Sequence, residues 1–233
     1  MSAVPVLLDS ERKLDAKWFH LRDDYLLLNA ITNAYRDNTS VLVGIVADPH
    51  SVYLRGNGKT SYALHVAAAW YKYYVGMKTK RAWCKALESI VFSLNELRER
   101  IDSTSRSDII IADDIGRWFS PKPSYSNEER KIFEVLETFR LNCVALIWTA
   151  VTPRSVPSKI LIHSDYMVYV SKVKDRYSKA EVWRAIIDKS RPYKEPKFAY
   201  LAEESFPTYY PDEIHQEYNR RRIERFKFTK NNT

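Results

Sequence analysis

The chain has 233 residues, of which 45% are hydrophobic, 28% charged and 13% aromatic, with 10 prolines, 2 cysteines and only 5 glycines. This composition belongs to a folded globular protein and excludes a glycine-rich disordered chain, a collagen-like fibre and a disulfide scaffold. Lys and Arg number 37 against 29 Asp and Glu, a formal net charge of +8 that suits a polyanionic partner such as nucleic acid.

The length suits one generous domain, read as an N-terminal helix (1–40), a core (41–165) and a β-meander with a basic helix (166–233). Met1 to Asp9 lacks a basic n-region and does not read as a signal peptide. Ser10 is placed to cap a helix running to Asn38, with Leu14, Trp18, Leu21, Tyr25, Leu28 and Tyr35 on one stripe. Val41 to Ala47 is apolar and β-branched, a buried strand stopped by Asp48-Pro49-His50. Val52-Tyr53-Leu54 leads into a glycine pair. Thr60 to Val75 reads as a helix closed by Gly76. Ser89 to Leu94 reads as a short strand, and Asn95 to Ile101 as a helix capped by Asn95. Asp108 to Ala112 is a strand apolar on both faces, as a central parallel strand requires. Trp118 to Tyr125 is a loop, and Asn127 to Arg140 a helix with Ile132, Phe133, Leu136 and Phe139 facing inward. Cys143 to Ala150 is a further buried strand, followed by a short helix from Pro157 to Ile162.

Short apolar strands alternating with helices predict a three-layer α/β domain with a mainly parallel central sheet. Tyr166 to Val173, Ala180 to Ile187 and Lys197 to Leu201 then read as an antiparallel meander extending one sheet edge. Pro207 to Pro211 is a turn and Asp212 to Phe226 a charged helix. The longest uncharged stretch, Leu141 to Pro153, is too short to span a bilayer, so no membrane partner is expected. Cys84 and Cys143 have no partners at metal-ligand spacing, the histidines form no metal or triad pattern, and a reducing cytoplasm is the simplest setting.

The residues that carry chemistry lie where flexible backbone is concentrated. Arg55-Gly56-Asn57-Gly58-Lys59-Thr60-Ser61 stands between a strand and a helix, the setting of a phosphate-binding loop. Gly56, Asn57 and Gly58 let backbone N–H groups approach phosphate oxygens, and the helix N-terminus favours the anion. Lys59 supplies a cation for the β- and γ-phosphates, Thr60 a hydroxyl for Mg²⁺, and Ser61 completes the loop. The full pattern places a glycine at position 53, where this chain has Tyr53. One βα unit downstream, Ile109-Ile110-Ile111-Ala112 ends in Asp113-Asp114. Strand carboxyl ends in a parallel sheet face the ligand crevice, so Asp113 is the metal-holding carboxylate and Asp114 the one that polarises the attacking water.

At these residues the chain resembles the P-loop NTPases, specifically RecA/AAA+-like ATPases with a strand added between the two Walker strands, over about Val41 to Asp165. Glu88 to Arg98 and Ser107 to Gly116 resemble the second strand, helix and Walker B of DnaC/DnaA-type ATPases, and the general style is similar to ATPases encoded by archaeal viruses and plasmids. The resemblance implies that Thr149, in Ile147-Trp148-Thr149, senses the γ-phosphate. It also implies an arginine acting across a subunit interface, for which Arg154 is the candidate and Arg117 the other. The C-terminal third reads as strands plus one helix, which favours a RecA-like core with a β-extension. Basic and aromatic residues mix around Lys172, Lys174 and Arg176 and again around Arg220, Arg221 and Arg222, a pattern suited to nucleic-acid backbone contacts.

The reading is therefore an ATPase using ATP and Mg²⁺, coupled to work on nucleic acid (DNA is the first choice) in replication initiation, helicase loading or translocation. It is expected to act as a homo-oligomer, with a replication or packaging protein as a further partner. Two alternatives stay open: a nucleotide-dependent binding module without turnover, and a P-loop kinase of small molecules. No N-K-x-D guanine-specificity motif occurs.

Overall fold

The computed structural model describes residues 21–51, 56–118, 127–174, 176–186 and 197–230. In chain order the elements are α1 (Leu26–Arg36), β1 (Val41–Ala47), α2 (Lys59–Tyr73), α3 (Thr79–Glu88), β2 (Ile90–Val91), α4 (Leu94–Ser103), β3 (Ile109–Ala112), α5 (Asn127–Asn142), β4 (Ala145–Ala150), α6 (Ser158–His163), β5 (Tyr166–Lys174), β6 (Tyr177–Ile186), β7 (Lys197–Pro207) and α7 (Asp212–Lys230). Single 3₁₀ turns at Ile115–Arg117 and Pro153–Ser155 follow β3 and β4.

The pleat of β1 sets the layers. Every residue of this strand is buried. Val41, Val43 and Ile45 join one apolar cluster, and Leu42 and Val46 the other. Successive side chains of a strand point to opposite faces, so such a strand needs a helix layer on each side. α1, α2 and α3 supply one layer through residues such as Ile31, Ala67 and Trp83. α4, α5 and α6 supply the other through Leu97, Ile101, Phe139 and Ile160.

The described strands form one sheet in the order β2-β3-β4-β1-β5-β6-β7. Pairings from β2 through β5 are parallel, and β5–β6 and β6–β7 are antiparallel. This is the expected three-layer α/β architecture with its antiparallel extension and C-terminal helix. β4 lies between β1 and β3, the position expected for the added strand.

Gly44 has a packing reason. It is paired with Trp148 on β4 and Met167 on β5. A Cβ there would sit 2.2 Å from Trp148 Cζ2 and 2.6 Å from Met167 Sδ. The indole crosses β1 at this point, and only a residue without a side chain admits it.

Several boundaries differ from expectation. Of the long N-terminal helix, residues 10–20 lie outside the described residues, and the described helix begins only at Leu26. Residues 21–25 are instead tied to β7: Arg22 Nη1 donates to the Ser205 carbonyl at 2.7 Å, and the Glu204 carboxylate accepts the Leu26 N–H at 3.3 Å. Tyr35, placed on the buried stripe, is 47% exposed. Val52 to Leu54 also lies outside the described residues. The helix after the loop stops at Tyr73, and Gly76 turns the chain at φ 80° into α3, an element the sequence reading missed. α4 is capped by Ser93 rather than Asn95. Ser93 Oγ accepts Glu96 N–H at 3.3 Å, the S-x-x-E spacing of a capping box, and Glu96 Oε2 accepts the N–H of Phe92, one residue before the cap, at 2.7 Å. β7 runs on to Pro207 because β6 pairs with it along its whole length, which absorbs the start of the expected turn.

The short β2 lies at a sheet edge. Arg221 on α7 donates to the Leu87 carbonyl at 2.7 Å and the Ile90 carbonyl at 3.0 Å, and Arg100 donates to the Glu88 carbonyl at 2.6 Å. The Ile90 carbonyl is thereby occupied on the open side of the edge strand, and the Leu87 and Glu88 carbonyls are capped at the end of α3.

Candidate nucleotide site

The carboxyl ends of β3 and β4, the N-terminus of α2, the segment after β7 and α7 border one cleft of about 400 Å³. Gly56 and Gly58 adopt φ 70° and φ 94°, conformations that side-chain-bearing residues avoid. Gly58 is also the N-cap of α2, so the first N–H groups of that helix border the cleft. A Cβ on Gly58 would come within 3.1 Å of Thr208 Cγ2 and 3.3 Å of Phe206 Cε2, so the loop lies tight against the end of β7. Asn57 welds the loop to the sheet. Its side chain is fully buried, its Nδ2 donates to the Val170 carbonyl at 2.8 Å, and its own carbonyl accepts Ser178 Oγ at 2.8 Å. Asn57 Oδ1 accepts Lys59 Nζ at 3.1 Å, which holds the amine at the cleft.

The carboxylates sit where β3 ends. Asp113 is buried, and its Oδ1 accepts Thr60 Oγ1 at 2.7 Å and Thr149 Oγ1 at 2.9 Å. Thr149 also accepts the Asp114 N–H at 2.8 Å, so one hydroxyl on β4 links both aspartates. Asp114 is left-handed, at φ 53° and ψ 48°. Such a conformation is costly for a residue with a side chain, and here the bond to Thr149 helps to hold it. Its carboxylate pairs with Arg117 Nε at 2.8 Å, one turn further on.

Most of the predicted residues meet. Gly56, Asn57, Gly58, Lys59, Thr60, Ser61, Asp113, Asp114 and Thr149 all line the cleft. Within it Ser61 is directed at the protein, its Oγ donating to the Thr208 carbonyl at 2.9 Å. Arg154 is exposed in the turn after β4 and is not among the residues lining its own chain's cleft, whereas Arg117 is. Lys172, Lys174 and Arg176 lie at the β5–β6 hairpin, away from the α7 arginines in sequence and element.

The arginine run on α7 splits three ways, as the 100° step of a helix requires. Arg220 pairs with Glu217 at 2.6 Å and Glu224 at 2.7 Å. Arg221 serves the β2 edge, and Arg222 lines the cleft. The sequence reading missed Thr208, Tyr210 and Tyr218 as cleft residues. The Tyr218 phenol donates to Asp113 Oδ2 at 2.8 Å, and the Arg222 guanidinium lies 5.9 Å from the Tyr218 ring centre. Burial, and then the Asp113 charge, push the phenol pKa of Tyr218 and of Tyr210 upward, so both remain O–H groups at neutral pH. The one available signal was the four-residue spacing of Tyr218 and Arg222, which puts them on one helix face without saying what that face meets.

The residues fit a nucleoside triphosphate with Mg²⁺. The glycine conformations, helix N-terminus and lysine suit a phosphate chain, while a hydroxyl and a carboxylate are the hard oxygen groups that Mg²⁺ takes alongside phosphate and water. Among the described residues there is no group of three or more His, Cys, Asp or Glu placed to bind a metal by itself. No helix of the described residues is long and apolar enough to cross a membrane.

The strand order gives a three-layer α/β fold in which the glycine loop at the N-terminus of α2 meets the carboxylates after β3. No family model and no curated protein sequence matches the chain. Among solved structures it is similar to the N-terminal domain of zonular occludens toxin from Neisseria meningitidis, at 11% identity and a TM-score of 0.38, covering 76% of this chain and 98% of that one. It is also similar to the flagellar accessory protein FlaH from Methanocaldococcus jannaschii, at 15% identity and a TM-score of 0.36, covering 70% of this chain and 89% of that one.

Proposed function

We propose that this protein is a Mg²⁺-dependent ATPase of the P-loop class that couples turnover to work on nucleic acid as a homo-oligomer, close in type to DnaC/DnaA-like ATPases. The observation that carries the reading is the meeting of the Thr60 and Thr149 hydroxyls on the buried Asp113 carboxylate, in the cleft that Lys59 also lines. Lys59 and the N-terminal amides of α2 bind the phosphate chain. Thr60 and Asp113 would hold a Mg²⁺ ion, which would supply neutralisation of the phosphate charge. Asp114 orients water for attack on the γ-phosphorus. Water adds to phosphorus, the bond to the β–γ bridging oxygen breaks, the water's protons pass to the released phosphate and to solvent, and ADP and phosphate leave. Arg117 and Arg222 line the same cleft.

The experiment is a turnover assay with Mg²⁺, with and without single- and double-stranded DNA, run beside size-exclusion chromatography with nucleotide. Lys59→Ala is the control, and turnover no greater than this variant's would refute the enzyme reading. One observation favours a binding module that does not turn over: Asp114, the carboxylate assigned to water, is already paired with Arg117. That reading predicts a nucleotide-dependent rise in melting temperature that Lys59→Ala abolishes, with no phosphate release.

A further inference from the structure

Asp113 is crowded with donors. Thr60 and Thr149 both reach Oδ1, and Tyr218 reaches Oδ2 at 2.8 Å. A carboxylate offers about four lone-pair positions, two on each oxygen. Oδ1 is therefore saturated by the protein, and Oδ2 keeps one position. A metal ion, or a water bound to it, can meet Asp113 only there.

The third donor comes from the last helix of the chain, and its ring is fixed. Tyr218 is 5% exposed and packs against Phe92 and Tyr210, with ring centres 6.1 Å and 6.4 Å away. α7 is itself fastened beyond this point. Arg221 holds the Leu87 and Ile90 carbonyls, and Arg225 donates to Ser93 Oγ at 2.7 Å and pairs with Glu96 at 3.1 Å. A phenol held this firmly fixes the rotation of the carboxylate it touches.

We propose that Tyr218 is a positioning residue of the metal site: it directs the one open position of Asp113 at the metal and so couples the C-terminal helix to Mg²⁺·nucleotide occupancy. The inference rests on the ATPase reading of the same cleft.

The test is equilibrium binding of a fluorescent ATP analogue to the full chain, titrated with Mg²⁺ from EDTA upward, for the wild type, Tyr218→Phe and Lys59→Ala. Melting temperatures are recorded alongside. Tyr218→Phe is expected to bind the nucleotide in EDTA within about twofold of wild type while its half-saturating Mg²⁺ rises about tenfold, the size of one lost hydrogen bond to a charged group. A half-saturation that is unchanged or lower overturns the inference, the lower value showing that the phenol competes with the metal. Amide hydrogen exchange over residues 212–225 gives a readout that needs no variant. Mg²⁺ with ATP should slow it relative to ATP in EDTA, and an absence of that difference in the wild type overturns the coupling. If the wild type binds no nucleotide, or Lys59→Ala binds equally well, the ATPase reading fails and the inference falls with it. If Lys59 matters and Tyr218 does not, the inference alone fails.

Discussion

Thr149→Val removes one oxygen from the centre of the site and little else. Valine keeps the β-branch and the approximate volume, so β4 should stay packed between β1 and β3. Two groups lose their partner. The Asp114 N–H loses an acceptor at 2.8 Å, and Asp113 Oδ1 loses a donor at 2.9 Å, in a place where Thr149 itself is 2% exposed. A hydrogen bond to a charged acceptor contributes about 1.5–3 kcal/mol, and an orphaned buried N–H costs about 1–3 kcal/mol. Thr60 and Tyr218 still hold Asp113, which keeps its share at the low end. We expect a loss of about 3 kcal/mol in urea unfolding followed by tryptophan fluorescence, or about 6–12 °C in melting temperature. Phosphate release should fall further than stability does, because Asp114 is left-handed and loses a bond that holds it there. Thr149→Ser restores the hydroxyl and should recover most of both. Stability within about 0.5 kcal/mol of wild type, or a serine variant as damaged as the valine one, would refute the argument.

Two further outcomes follow from the packing. Gly44→Ala drives a Cβ against Trp148 and Met167, each 1% exposed, and should cost about 1–3 kcal/mol by urea unfolding; adding Trp148→Phe should recover part of it, and a neutral single variant would contradict the packing. Burial lowers the His65 pKa to about 4, against the contact with the Tyr209 carbonyl, which raises it. Between the unfolded value near 6.5 and that folded value the unfolded chain binds a proton that the fold excludes, so stability should fall as pH drops through this window, by about 2 kcal/mol at pH 5. Burial raises the Glu204 and Asp165 carboxyl pKa values and acts in the opposite sense. His65→Gln isolates the histidine contribution: melting temperature against pH should be flatter in that variant, and parallel profiles would refute the assignment.

The site was legible in the sequence wherever a residue's role follows from its neighbours in the chain. Gly58, Lys59 and Thr60 are read from one loop, and Asp113 from an apolar strand that stops in two carboxylates. Strand polarity then brings them together, since both stand at carboxyl ends in a parallel sheet. Thr149 entered through a resemblance, and its place in the structure is the pairing of β4 between β1 and β3. Other roles depend on orientation. Ser61 lies beside Thr60 in the chain but one helical step away, and so meets Thr208 instead of the carboxylates. The three adjacent arginines of α7 read as one basic run, yet the helix turns them to a glutamate pair, a sheet edge and the cleft.

By itself the sequence determined the apolar strands, their alternation with helices, the glycine loop and the acidic strand end. Each of these is a local pattern, set by side-chain period and backbone freedom within a few residues. Only the tertiary structure decided what closes the cleft. The antiparallel pairing of β6 and β7 returns the chain to the glycine loop, Ser61 and His65 bond the Thr208 and Tyr209 carbonyls, and α7 then runs back across the sheet edge. The Tyr218 hydroxyl reaches Asp113 as a result of that path. A contact between residues so distant in the chain depends on the register and direction of every strand between them, and no periodicity in the sequence encodes it.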